Sequence, residues 1–168
     1  MKHRLPFSKG LTLIELLVAV SVIAILLAIG IPSYKTFFDR DRLEGGATAL
    51  YFMLNLSKTE SIKRNSDIYL KITAGNDWCV GSNEGDAVCD CNSKGSCDAA
   101  ISHNEYKNLT LLSNYSVPYY DRVRGSFNEP NGLFKLRSES AGEIRLNVNF
   151  LGSVRICGVD GVLGLNGC

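Results

Sequence analysis

The chain has 168 residues, with 18 Lys and Arg against 17 Asp and Glu, a net charge of +1 and a mean hydropathy of +0.03. That balance excludes a protein held to nucleic acid or to an anionic membrane by overall charge, and the length suits one domain plus an elongated part. Its two histidines, His3 and His103, leave little material for acid–base chemistry.

Residues 1–10, MKHRLPFSKG, carry Lys2, Arg4 and Lys9 and no acid. Residues 11–31 follow as an apolar run whose single charge is Glu15. As a helix this run is about 31 Å long, close to the hydrocarbon thickness of a bilayer, and the basic flank predicts a cytoplasmic N-terminus. A cleaved secretory signal and a plain signal anchor are the competing readings. A signal core is usually shorter and lacks a carboxylate. A charge inside an apolar helix costs roughly 2.5–3.5 kcal/mol, so Glu15 is expected to have a task.

Pro32, close after Gly30, predicts a kink. Helical spacing then resumes over residues 32–65. Leu43, Ala47, Leu50 and Leu54 form one stripe, extended by Ser57 and Ser61, with most charged residues off it. Gly45-Gly46 weakens this helix by roughly 1 kcal/mol each relative to alanine. The cluster Asn65-Ser66-Asp67 should end it. A helix over residues 11–65 would measure about 80 Å.

Beyond Asp67 the period becomes two. Ile68, Leu70 and Ile72 alternate, as do Ile144, Leu146, Val148 and Phe150, and then Val154 and Ile156. These read as half-buried strands, with another over residues 133–136 and turns at Ser140-Ala141-Gly142 and Leu151-Gly152-Ser153. The C-terminal third is expected to be an antiparallel meander laid against the amphipathic half of the helix, an α+β fold. Residues 81–100 read as a polar loop. Residues 66–106 are an acidic block, with Lys71 and Lys94 against seven acids, whereas residues 107–168 carry seven cations against five acids.

All six cysteines, Cys79, Cys89, Cys91, Cys97, Cys157 and Cys168, lie beyond the apolar run. An even count in an exported chain predicts disulfides. Zinc held by Cys79, Cys89, Cys91 and Cys97 is the alternative, disfavoured by irregular spacing and an oxidising compartment, and a redox-active pair is weaker still. Cys89 and Cys91 are too close in sequence to bridge each other easily. Cys157 and Cys168 are expected to pair, and the other four to form two bridges in an order the sequence leaves open. No metal or cofactor is expected.

An enzyme is not expected. His103 sits in a polar segment beside Asn104 and Glu105, and Gly45-Gly46 lacks the lysine of a phosphate-binding loop. Arg122, Arg124, Lys135, Arg137, Arg145 and Arg155 are candidates for a basic stripe contacting DNA phosphates. A solvated sheet face interspersed with Asp121, Glu139 and Glu143 is the plainer reading.

Lys9-Gly10 followed by LTLIELLVAVSVIAILLAIGIP resembles the N-terminus of type IV pilins and type II secretion pseudopilins. In that family a dedicated peptidase cuts after the glycine and methylates the new N-terminus. The resemblance makes Leu11 the first residue of the processed chain, Glu15 the fifth and Pro32 the twenty-second, both at the family's characteristic positions. Leu11 stands where the family most often has Phe. The remainder resembles the GspH/FimT branch of minor pilins and pseudopilins, through residues 42–65, an Asp77-Trp78 strand and Gly152-Ser153-Val154-Arg155-Ile156-Cys157. Some members of that branch begin this last motif Gly-Arg-x-Arg and bind DNA. Here only Gly152 and Arg155 match, with Ser153 in place of the first arginine.

The resemblance implies a pilin-like fold with a leader over residues 1–10, a transmembrane half-helix over 11–31, an amphipathic half-helix over 32–65 and a disulfide-bonded β-rich domain over 66–168. It implies a minor type IV pilin of the inner membrane, with a single pass and a periplasmic globular domain, that helps initiate a pilus near its tip. Its partners would be other major and minor pilins and the prepilin peptidase. A minor pseudopilin and a DNA-binding pilus subunit are the alternatives.

Overall fold

The computed structural model describes residue 10 and residues 12–86, 88–159 and 164–168, apart from the side chains of residues 29–33. The chain divides into two compact units, Met1–Lys35 and Thr36–Cys168. In the first, helix α1 (Leu13–Arg64) begins, and every side chain over residues 13–28 is exposed. Among the described residues no helix is long and apolar enough to cross a membrane. The span expected over 11–31 and the kink expected at Pro32 both involve Leu11 or side chains 29–33, which lie outside the described residues.

The second unit is built on the rest of α1. Its buried face is Leu43, Ala47, Leu50, Met53, Leu54, Ser57 and Ser61, the stripe read from the sequence with Met53 added. The two buried serines need no distant partner, because Ser57 Oγ donates to Met53 O (2.9 Å) and Ser61 Oγ to Lys58 O (2.8 Å). Asp39 is also buried on this side; Ser140 Oγ donates to its carboxylate and Arg42 lies 3.6 Å away. Gly45-Gly46 has a packing reason. A Cβ on Gly46 would stand 3.0 Å from Leu109 and Leu136, and one on Gly45 would stand 3.2 Å from the Tyr106 ring. The helix gives up propensity there so that a loop and a strand can approach its backbone. It ends where Asn65 turns left-handed (φ 51°), with Ser66 N–H bonded to Ser61 O and Asn65 N–H to Ile62 O, a Schellman closure.

Eight strands follow: β1 (Ile68–Thr73), β2 (Cys79–Glu84), β3 (Ala99–Ser102), β4 (Thr110–Ser113), β5 (Tyr119–Tyr120), β6 (Leu133–Ser138), β7 (Gly142–Val148) and β8 (Val154–Gly158). They form two antiparallel four-stranded sheets, β3-β2-β1-β5 and β4-β6-β7-β8. The meander expected at the C-terminus is β6-β7-β8. A second sheet accompanies it, and the two are joined where Gly75 and Leu111 exchange backbone hydrogen bonds (2.8 and 3.1 Å). Inner residues of both sheets, Leu70 and Val80 from one and Leu111, Phe134, Leu136, Ile144, Leu146 and Val148 from the other, share one core with the helix stripe, Trp78, Tyr120 and Phe127. All of this core and all three disulfides lie within Thr36–Cys168, so that unit is self-contained.

Three local expectations are corrected. Residues 81–84 are not loop but the last four residues of β2. Gly81 and Ser82 are buried there, because pairing with β1 and cover from the cysteines outweigh their polar composition. Asp77 and Trp78 form no strand; they precede β2, with Trp78 fully buried. Phe150 does not continue the inward alternation. β7 ends at Val148, the chain turns with Gly152 N–H bonded to Asn149 O (2.8 Å), and Phe150 is left 63% exposed.

The cysteines join as Cys79–Cys91, Cys89–Cys97 and Cys157–Cys168. The first two bridges lie over Gly81, where a Cβ would meet Cys97 Sγ at 2.5 Å and Cys91 Cβ at 3.0 Å. Among the described residues no cluster of His, Cys, Asp or Glu is arranged to hold a metal ion.

Candidate assembly site and cationic sheet face

The first turn of α1 carries Glu15, fully in the open, two residues into the helix. Its backbone N–H donates to Thr12 Oγ1 at 3.3 Å. Thr12 is thus the N-cap and Glu15 the third helical residue, the Thr-x-x-Glu spacing of a capping box. A carboxylate in a first turn also meets the positive end of the helix dipole, worth about 0.3–1 kcal/mol at an exposed site. Both features hold the start of α1 in register with the residues just before it. Gly10 is exposed; Leu11 is not among the described residues. Thr-x-x-Glu ahead of an apolar run is the legible sequence signal of this helix start.

The six candidate DNA-contacting cations divide. On β6, Phe134, Leu136 and Ser138 point into the core, so Lys135 and Arg137 lie on the outer face; on β7, Ile144 and Leu146 point in and Arg145 points out. Register aligns Leu112, Lys135, Arg145 and Cys157 in one cross-strand row, Thr110, Arg137 and Glu143 in the next, and Leu133, Asn147 and Arg155 in a third. Lys135 directly opposes Arg145, a like-charge pair that is unfavourable in a sheet. Glu143, with its Oε1 2.6 Å from Arg145 Nε, offsets part of this. Arg122 and Arg124 belong elsewhere, in the turn after β5. Arg122 N–H bonds to Asp67 Oδ1 (2.9 Å) and its Nε lies 3.6 Å from the same oxygen.

That turn is organised by Asp121. Its carboxylate accepts the N–H groups of Val123 (2.7 Å), Arg124 (2.9 Å) and Ser126 (2.7 Å) and the Ser126 hydroxyl. Burial pulls its carboxyl up, but these hydrogen bonds outweigh burial and hold it at about 2. A depressed carboxylate stabilises the fold above its unfolded value of 3.8, and that contribution disappears as pH falls through about 2. The protection of the Val123, Arg124 and Ser126 amides, measured against their intrinsic exchange rates, is therefore expected to fall between about pH 4 and pH 2 in the native chain. In Asp121→Asn that protection should already be low at neutral pH and lack the step. An unchanged pH profile in the variant would rule this account out.

The acidic block is partly neutralised at the end of α1. Arg64 bonds Glu60 (2.7 Å), Asp98 (3.1 Å) and Glu84 (3.4 Å), tying the helix end to the first sheet. Arg64, Glu84 and Asp98 are exposed and Glu60 is half-buried, so the tie fixes geometry more than it adds stability. His103 Nε2 lies 3.7 Å from Asp77 Oδ1.

A long N-terminal helix with a capped acidic first turn, packed farther along against paired antiparallel sheets, defines a pilin-like subunit. Residues 6–31 match the prokaryotic N-terminal methylation motif, and residues 46–159 match the type II transport protein GspH. The chain belongs to the GspH family. The methylation motif marks it as a membrane-anchored pilus or pseudopilus subunit. Its fold is similar to that of the type IV minor pilin FimU of Pseudomonas aeruginosa, with a TM-score of 0.52 and 17% identity over 71% of this chain and 91% of that one. It is also similar to the minor pseudopilin EpsH of the Vibrio cholerae type 2 secretion system, with a TM-score of 0.51 and 11% identity over 70% and 97%. An uncharacterised Haemophilus influenzae protein is 24% identical over 161 residues, 88% of this chain and 93% of the relative. Such subunits are structural and assemble with other pilins; they are not enzymes.

Proposed function

We propose that the protein is a minor type IV pilin that takes part in pilus initiation near the filament tip. It is made as a prepilin with a single pass through the inner membrane and a periplasmic globular unit. A prepilin peptidase cuts between Gly10 and Leu11 and methylates Leu11. The apolar segment then leaves the lipid for a bundle of pilin helices, where small residues such as Ala19, Ser21 and Ala24 allow close approach. The observation that carries this reading is the exposed Glu15 in a Thr12-capped first turn directly after Lys9-Gly10. A carboxylate held there is poised to pair with the positive N-terminus of Leu11 on its own or a neighbouring subunit, which offsets the cost of burying it. Mass analysis of the mature N-terminus is expected to give N-methyl-Leu11. An N-terminus beyond Ile31 would mean an ordinary cleaved signal and would end the proposal. A minor pseudopilin of a type II secretion system is the alternative with the same chemistry and different neighbours, and the genes flanking this one separate the two.

A second reading, DNA capture, is favoured by one observation. Lys135 stands opposite Arg145, with Arg137 and Arg155 in the adjacent rows, an outward charge arrangement that a polyphosphate would relieve. Gel shifts of the Thr36–Cys168 unit at two salt concentrations test it. Binding that falls steeply with salt and weakens in Lys135→Gln/Arg145→Gln supports it, and absence of binding at low salt rejects it.

A further inference from the structure

Four large apolar side chains gather at the end of α1 remote from Thr36, roughly 40 Å along the helix. Val123 (75% exposed) crowns the turn after β5, and Phe150 (63%) and Leu151 (66%) crown the turn between β7 and β8. Ile62 (47%) of α1 borders them. The two turns abut. A Cβ on Gly152 would stand 2.2 Å from Gly125 O, one on Gly125 would stand 3.0 Å from Ile62 Cδ1, and Phe127 N–H bonds to Phe150 O at 3.0 Å. Lys58 crosses the junction and donates to Leu151 O at 2.7 Å.

Both turns are braced from beneath. Asp121 gathers the N–H groups of one, while Asn149 accepts Ser153 N–H through its side chain (2.9 Å) and Gly152 N–H through its backbone (2.8 Å) in the other. Packing within the unit therefore does not explain why the apolar groups stay outside, since the turns are held by polar bonds that would serve equally well with polar crowns. Cations stand around them: Lys58, Arg122 and Arg124. The nearby acids are engaged, Asp121 in its own turn and Asp67 with Arg122. Short rigid turns that lift Phe, Leu and Val clear of the fold within a collar of Arg and Lys have the make-up of an interfacial lipid contact. Apolar groups enter the acyl boundary while cations remain at anionic headgroups.

We propose that this two-turn tip inserts into an anionic membrane surface. The site lies wholly within Thr36–Cys168, and the proposal stands whether the subunit serves a pilus or a pseudopilus. The test uses the soluble unit Thr36–Cys168, which contains the whole core and every disulfide, so that the apolar N-terminal segment does not bind the lipid itself. The probes are vesicles of phosphatidylglycerol with phosphatidylcholine, and of phosphatidylcholine alone. The unit is expected to sediment with the anionic vesicles. The indole introduced by Phe150→Trp should shift its emission to the blue on mixing, against the constant signal of buried Trp78. Phe150→Ser/Leu151→Ser should weaken sedimentation by about tenfold or more, given the apolar area removed. Lys71→Gln, at an exposed cation of β1 with no place in the tip, should leave it unchanged. No sedimentation with anionic vesicles overturns the proposal. So does sedimentation that ignores the Phe150/Leu151 change and is lost with Lys135→Gln/Arg155→Gln on the outer sheet face, because that is adsorption by charge alone. A tip variant that fails to co-assemble with other subunits, beside a native unit that ignores vesicles, would assign the tip to a protein pocket and overturn the lipid reading.

Discussion

Glu15→Lys is expected to insert into the membrane normally and to be processed, yet to be missing from sheared filaments. Insertion is set by the long apolar run and its basic flank, and exchanging one charge for another at the same depth alters that little. Incorporation is different. The carboxylate at Glu15 would be drawn from water or headgroups into a bundle of apolar helices, where an unpaired charge costs several kcal/mol. On the proposed reading, the positive N-terminus of a processed Leu11 would supply its partner. Lysine places a second cation beside that amine, so attraction becomes repulsion at the moment of docking. Immunoblots of membrane and sheared-pilus fractions check this. Glu15→Gln should be intermediate, since it keeps a hydrogen-bonding group and removes the charge. Normal amounts of the lysine variant in filaments would show that Glu15 does not set register. The Thr12 cap makes a further distinction possible: Thr12→Ala should fray the first turn by about 1 kcal/mol while leaving the charge in place, so its milder defect would separate geometry from electrostatics.

The largest effect on stability is expected from Gly132→Ala. A Cβ there would stand 2.1 Å from the Tyr115 ring, and that ring cannot retreat. It packs against Phe127 and Phe134 (centroids 5.3 and 4.7 Å), and its hydroxyl donates to Gly132 O (2.7 Å) and accepts Val148 N–H (3.3 Å). The same carbonyl accepts Asn147 Nδ2–H (2.8 Å), so a shift of residue 132 disturbs three hydrogen bonds at once. Burial raises the Tyr115 hydroxyl to about 12, consistent with a phenol sealed inside the unit and neutral at any ordinary pH. Overpacking of this kind costs about 3 kcal/mol or more, and the melting temperature should fall by about 10 °C. Gly167→Ala is the matched control. Nothing stands within 4 Å of its Cβ, and a change within about 0.5 kcal/mol is expected. Equal melting temperatures for the two variants would mean that the Tyr115 contact can relax.

Much of this fold is written in local periodicity. The helix stripe from Leu43 to Ser61 and the alternation in β6, β7 and β8 are properties of neighbouring residues, and the sequence displays them directly. The division into two sheets is not local. It depends on β1 choosing β5 and β4 choosing β6 across long stretches of chain, and two-residue β5 leaves no periodic trace. Polar β2 was hidden for a related reason, because its burial comes from cysteines that approach from the following loop. Gly45-Gly46 reads in the sequence as a weakness because Tyr106, Leu109 and Leu136, which pack against it, are distant along the chain. The basic residues were legible as a set, yet their division between a sheet face and a turn required the register. At the N-terminus the opposite holds. Gly10, Glu15 and Pro32 stand out by spacing alone, because the motif matched over residues 6–31 is a linear pattern along the chain.

Gly81 bears on how the cysteines find one another. Cys89 and Cys91 could exchange partners, and the swapped bridges would close loops two residues shorter than the native separations of 12 and 8. By loop-closure entropy the two isomers differ by only about 0.4 kcal/mol, and the swapped one is the easier to form. Chain statistics therefore give no preference for the native pairing. The preference has to come from the finished hairpin, whose bare backbone at Gly81 leaves a seat for sulfur atoms in one arrangement. Oxidation after β1 and β2 have paired is therefore expected to favour the native bridges. A side chain at residue 81 is expected to raise the share of swapped bridges, which mapping of non-reduced peptides would read.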